Sequence, residues 1–224
     1  DSIGDPALAA QAAFGAIAIK AEIGEMGEVL RWAQATIESA EGEAAPDNLI
    51  LGSPLAAAFA LRGVARSWFG LPGWREDLDS GVALAERSAE PLTIAVTTSW
   101  KYGTGVFTGV VCADDLAVHA TEKALQALES SGDDYAVAMF KWVFASALLW
   151  RDAPHARQRG RELLTEVLEA SKQQRFLGSE IPVMDMYVGW ARARDGDIDG
   201  GLEMLRASVR DMIGRGQIGY YIPS

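Results

Sequence analysis

Two pairs of adjacent carboxylates, Asp114-Asp115 and Asp133-Asp134, are the residues of this chain best suited to chemistry, because paired carboxylates can perform acid–base catalysis or hold a cation. Both pairs stand where an apolar helical pattern begins. A carboxylate there caps the helix and meets the positive end of its dipole, so capping is the reading they support. The histidines, His119 and His155, are isolated, with no second His or Cys three or four positions away; no zinc motif forms, and both are expected to face solvent. No Gly-x-Ser-x-Gly sequence marks a nucleophilic serine. The cluster Gly103-Thr104-Gly105-Val106-Phe107-Thr108-Gly109 lacks the Gly-Lys-Ser or Gly-Lys-Thr of a phosphate loop. It is expected to serve close helix packing, a kink or local pocket being the functional alternative. Two lysines sit between aromatics, in Trp100-Lys101-Tyr102 and Phe140-Lys141-Trp142. If buried, each needs a partner, which an anionic ligand could supply; a stem lying across an aromatic with its amine in water is the other reading. No catalytic residue, metal ligand or cofactor is expected.

The elements that carry these residues are helices. Ala, Leu and Glu recur along the 224 residues and β-branched runs are short, which favours helix over strand. With 49% hydrophobic and 23% charged residues the chain can build a sizeable core. The formal net charge is −11, and the densest basic group, Arg157, Arg159 and Arg161, stands beside Glu162 and Glu166. That leaves no basic stripe for direct nucleic-acid binding. The single cysteine, Cys112, cannot form an internal disulfide; in the run Val110-Val111-Cys112-Ala113 it is expected to be a small core residue. No stretch is apolar enough to span a bilayer, and the apolar segment Ala7 to Ile19 lacks the preceding basic region of a signal peptide. A cytoplasmic location is expected.

A period near 42 residues organises the chain. Gly63, Gly105, Ala147 and Gly189 are spaced by 42, each small and each within an apolar segment. The phrases Leu51-Gly52-Ser53-Pro54 and Leu177-Gly178-Ser179 lie 126 apart, three such periods, and Ile218-Gly219 begins the phrase again. Helical hairpins are expected over about 6–42, 53–89, 91–130, 134–175 and 179–216, in one continuous domain. Their turns fall near Glu25 to Glu28, at Leu71-Pro72-Gly73-Trp74, at Ala113-Asp114-Asp115, at Asp152-Ala153-Pro154 and at Asp195-Gly196-Asp197. In the last, Gly196 suits a left-handed helix stop and Asp197 the next N-cap. The opening on Asp1 and the phrase restarting at Ile218 suggest a piece of a longer chain.

The run Gly189-Trp190-Ala191-Arg192-Ala193-Arg194-Asp195-Gly196-Asp197-Ile198-Asp199-Gly200-Gly201 resembles a tetratricopeptide repeat, with Gly189, Gly196-Asp197 and Gly201 in the positions of that family's small residues and turn. Ser208 departs from the family's alanine, and the period exceeds the usual thirty-four. Leu61-Arg62-Gly63-Val64-Ala65-Arg66, Gly70 to Asp77 and Val188-Gly189-Trp190-Ala191 also resemble the C-terminal helical arrays of large bacterial signalling proteins. Those join a class III nucleotide cyclase domain, or a LuxR-type helix-turn-helix, to an AAA-like ATPase. The resemblance implies a right-handed α-solenoid of about five antiparallel hairpins, acting as a sensing or protein-binding arm.

Carrying the tetratricopeptide pattern over, the concave face would present Tyr102, Phe144 and Trp190 as an aromatic row, with Arg151 and Arg194 alongside. Aromatic and arginine side chains anchor interfaces, so a protein or peptide with acidic and apolar groups is the expected partner. The competing reading makes the aromatics plain core. A regulatory protein–protein interaction module is therefore expected, with small-effector sensing as the alternative. An uncapped terminal hairpin would also favour homodimers through the C-terminal end.

Overall fold

The computed structural model describes residues 15–42, 53–130, 132–174 and 177–217, and all regular structure among them is helical. The helices are α1 (15–22), α2 (Met26–Gly42), α3 (Pro54–Trp68), α4 (Trp74–Ser88), α5 (Pro91–Thr98), α6 (Gly105–Phe107), α7 (Asp115–Glu129), α8 (Asp134–Leu149), α9 (Pro154–Gln174), α10 (Ile181–Arg194) and α11 (Ile198–Gly214), with a π-helical turn, Ser99–Thr104, before α6. Among the described residues they fall into two compact units, divided between Gly105 and Val106. The division lies inside the third expected hairpin. Residues 6–14 of the first hairpin, Arg175 of the fourth, Leu51-Gly52, and the chain from Ile218 to Ser224 lie outside the described residues. No described helix is long and apolar enough to cross a membrane.

In the first unit Gly24, at φ 80°, turns α1 into α2. α2 buries Met26, Val29, Ala33 and Ile37, a helical stripe, and packs on α3. Ser53 caps α3, accepting from the Ala56 amide at 3.4 Å, and Pro54 takes the first helical position. The α3–α4 connection at residues 69–73 agrees with the expected turn. Glu90 caps α5 by accepting from the Leu92 and Thr93 amides at 3.0 and 2.6 Å. Thr97 near the end of α5, and Ser99 at the start of the π turn, donate their hydroxyls to the carbonyls of Thr93 and Ile94 and of Val96, respectively. Such back-bonding loosens a helix, and the backbone widens into the π turn directly afterwards. The glycine cluster thus follows a helix distortion.

In the second unit Asp114, Asp133 and Asp197 cap α7, α8 and α11, accepting from the Ala117, Ala136 and Gly200 amides. Both carboxylate pairs therefore open helices. α8 is apolar nearly all round and buried from Val143 to Leu149, as a central helix must be. It is flanked by α7 and α9, and α10 packs on α9 and α11. Cys112 corrects an expectation: α6 stops at Phe107, Gly109 turns the chain at φ 73°, and the cysteine is exposed in the connection rather than in a core.

Three helix pairs meet almost backbone to backbone. A Cβ on Gly81 of α4 would lie 2.9 Å from the Ala56 carbonyl oxygen of α3. One on Gly160 of α9 would lie 2.8 Å from the Ala145 oxygen of α8, and one on Gly201 of α11 would lie 2.6 Å from the Gly189 oxygen of α10. Beside the first seam is a buried ion cluster. Asp77, 3% exposed, accepts from Arg62 Nε and Nη2 at 2.9 and 2.6 Å and from Arg66 Nη1 at 2.8 Å. Arg62 also donates to Gln34 Oε1 at 2.9 Å, so one guanidinium ties α2, α3 and α4 together.

These contacts give two expectations. Gly201→Ala should cost about 1–3 kcal/mol in urea denaturation, whereas Gly27→Ala, whose Cβ meets nothing within 4 Å, should stabilise by up to about 1 kcal/mol. Asp77→Ala, which strands buried guanidinium groups, should cost about 3 kcal/mol, whereas Asp79→Ala, which loses only an exposed pair with Lys101, should cost less than about 1 kcal/mol.

Candidate functional site

A cluster of aromatic and arginine side chains lies at the turn end of the second unit, where α8 and α10 finish. α8 runs out of apolar residues at Leu149, and Trp150 caps it, its amide bonding to the Ser146 carbonyl. α10 ends at Arg194 ahead of the Asp195-Gly196-Asp197 turn, with Gly196 at φ 105° as its sequence position predicts. The two helix ends bring Trp150 and Trp190 together, ring centroids 4.0 Å apart at 34°. Arg194 covers the outer ring, its guanidinium carbon 5.2 Å from the Trp190 centroid, and donates to Asp152 Oδ1 at 2.6 Å.

Charged residues surround this pair. Arg151 donates to the Ala113 carbonyl at 2.7 Å and pairs with Asp115 at the start of α7. Asp195 is shared by Arg161 at 2.5 Å and Arg157 at 3.5 Å. Asp115 and Asp152 are almost fully exposed, so these pairs sit in high dielectric and an acidic partner can compete for the guanidinium groups. In the neighbouring turn, Arg192 and the Gly200 amide hold the Asp197 carboxyl below its ordinary range. Deeper along the same two helices, Tyr187 packs on Phe107 at 5.2 Å and edge-on to Trp142 at 6.3 Å. Burial pushes its phenol well above the usual value, against the opposing effect of a hydrogen bond with Ser146, so it stays neutral. Among the described residues the indole N–H groups of Trp142 and Trp150 have no acceptor.

Of the five residues expected on a binding face, Arg151, Trp190 and Arg194 meet here and keep part of their surface. Tyr102 and Phe144 correct that expectation. Tyr102 belongs to the first unit and is 4% exposed; Phe144 is 9% exposed. Both are core, because their helix faces turn inward against neighbouring helices. Phe144, with Leu125 and Leu163, floors an open groove of about 240 Å³ across α8, rimmed by Glu122, Lys141 and Arg159. The two lysines flanked by aromatics have carboxylate partners within the chain, Lys101 with Asp79 at 2.7 Å and Lys141 with Glu166 at 2.6 Å. Burial alone would lower the Lys101 ammonium, but its interactions with Asp79 and Tyr102 together outweigh that and its pKa lies above the ordinary value. Neither lysine requires an anionic ligand. His119 and His155 are exposed, and among the described residues no cluster of three or more His, Cys, Asp or Glu is placed to hold a metal ion.

No protein-family model, curated protein or solved structure matches this chain. The site therefore rests on its own geometry. Sequence reasoning missed Trp150, Arg157 and Arg161. The basic run at 157–161 was visible, but a strict step of 42 from Trp190 arrives at Leu148, two residues short of the tryptophan that it meets.

Asp197 makes the turn sensitive to acid. A carboxyl held low in the folded state contributes stability above its unfolded pKa, near 3.9, and loses it as pH falls through the lower folded value. Asp197→Asn keeps an acceptor for the cap but not the charge, so its melting temperature should fall less steeply below about pH 4 than that of the parent.

Proposed function

We propose that this chain is a non-catalytic protein-interaction module, a tetratricopeptide-like solenoid of helical hairpins. On this reading the turn-end cluster of the second unit receives a segment carrying acidic and aromatic groups. The observation that carries the reading is the Trp150–Trp190 pair, which keeps part of its surface, with Arg194 over the Trp190 ring. Rigid aromatic surface beside arginine is the composition of interface hot spots, and a partner's carboxylate can exchange with Asp152 or Asp115. The recurring small-residue seams support the solenoid: Gly160 and Gly201, 41 positions apart, make equivalent close approaches in successive hairpins. The resemblance to the helical arrays of bacterial signalling proteins adds a regulatory role inside a larger cytoplasmic protein.

Small-molecule sensing is the second reading. Its support is the pair of buried indole N–H donors on Trp142 and Trp150, which an acceptor on a ligand would satisfy.

The test is a peptide array probed with the purified chain and with an Arg151→Glu, Arg194→Glu double variant. Acidic–aromatic peptides should bind the parent and lose about tenfold or more in affinity with the variant, as expected when paired charges are reversed. Binding that ignores the two substitutions would sink the assignment of the face. A metabolite that raises the melting temperature, with about 2.7 kcal/mol of stabilisation at a hundred times its dissociation constant, would put sensing first.

A further inference from the structure

α11 carries a second apolar face that its own hairpin covers only in part, leaving Ile198, Leu202 and Ile213 exposed while Leu205 and Val209 are partly buried. The helix packs on α10 through Gly201, Ser208 and Met212, which are buried. Ile198, Leu202, Leu205, Val209 and Ile213 recur at intervals of four, three, four and four, and so form one stripe beside that seam. Ile198 is 59% exposed, Leu202 37% and Ile213 57%. These are three of the eight most exposed large apolar side chains among the described residues, gathered on one helix.

The charges beside the stripe identify what covers it. Asp199, Glu203, Arg206 and Arg210 project from its outer flank, all exposed, and among the described residues none of the four has an ion-pair partner. The acidic pair lies in the N-terminal half of α11 and the basic pair in the C-terminal half. Such an arrangement is self-complementary only when two helices run antiparallel. A twofold axis beside Leu205 sets Ile198 against Ile213 of the other copy and Leu202 against its Val209. On the flank, Asp199 and Glu203 then face Arg210 and Arg206 of the other copy. A parallel twofold pairing would instead carry the two charged flanks to opposite sides of the pair, where they could not meet.

We propose that α11 pairs antiparallel with α11 of a second copy of this chain, a homodimer closed by the Ile198–Ile213 stripe. The proposal goes beyond the peptide-binding reading and uses a different face. A helix of 17 residues is about 25 Å long, so the interface is smaller than a standard stable one and the dimer is a micromolar assembly.

Sedimentation equilibrium of the whole chain tests it. At about 100 µM the parent should run at twice 24.0 kDa, and Leu202→Asp should run as a monomer. Glu203→Arg and Arg206→Glu should each weaken association by about tenfold, and the two together should restore it. All of these substitutions are on solvent-exposed positions, and circular dichroism checks that each variant folds. In a Cys112→Ser background, Leu205→Cys should cross-link to itself, whereas Ile198→Cys should cross-link only to Ile213→Cys. A monomeric parent overturns the proposal, as does a dimer indifferent to the stripe and the charge reversals. A monomer that dimerises only after residues 218–224 are removed overturns it too, by assigning the stripe to the chain's own tail.

Discussion

Two helices can approach to backbone contact only where a glycine on one faces small residues on the other, and this constraint shapes three helix pairs of the molecule. At the α3–α4, α8–α9 and α10–α11 seams a Cβ added to the glycine would lie less than 3 Å from a carbonyl oxygen on the partner helix. Ala56, Ala60, Ala145 and Ala193 form the opposite walls. Packing at that distance gathers many small dispersion contacts and leaves no room for repair, since any added methylene must displace backbone. Gly201 is the extreme case, with three neighbours inside the distance real Cβ atoms keep.

Tight seams exclude large side chains and charges alike, and the ion pairs are distributed accordingly. Where a guanidinium must enter the interior, as at Arg62, its carboxylate partner engages two of its nitrogens, a neighbouring arginine shares the same carboxylate, and Gln34 takes a further donor. That saturation offsets the cost of desolvation. At the turn end of the second unit the same residue types meet in the open: Asp115 and Asp152 are nearly fully exposed, and their arginines hold them in water. One cluster fixes three helices. The other is exchangeable, which is what a recognition surface needs.

The helix boundaries were legible wherever a residue's backbone chemistry allowed one choice. Gly196-Asp197 ended α10 and capped α11, Pro154 opened α9, and Asp114 and Asp133 opened α7 and α8, each for a local reason visible in the sequence. The identity of the buried face was not. Tyr102 and Phe144 are aromatic like Trp190 and stand 42 residues apart, yet both are core, because exposure is decided by neighbouring helices that a periodic count does not contain. Cys112 failed similarly: an apolar run of four reads as helix interior, but Gly109 had already turned the chain. Likewise the π turn needed the combined back-bonding of Thr97 and Ser99, which spacing alone does not reveal.

The large side chains excluded from the seams have to go somewhere, and their positions follow from the exclusion. Trp150 and Trp190 stand near the ends of α8 and α10, where their rings stack on each other. Phe69 and Leu71 occupy the α3–α4 connection, and Ile198 and Ile213 the two ends of the α11 stripe. Apolar surface left outside by a close-packed interior is surface still available for burial, at roughly 25 cal/mol for each Å² removed from water. Among the described residues most aromatic and branched side chains are buried in full or in part, and the few left exposed lie mostly at connections and helix ends. Recognition, on the reading proposed for this chain, draws on the same side chains that the hairpins could not accommodate.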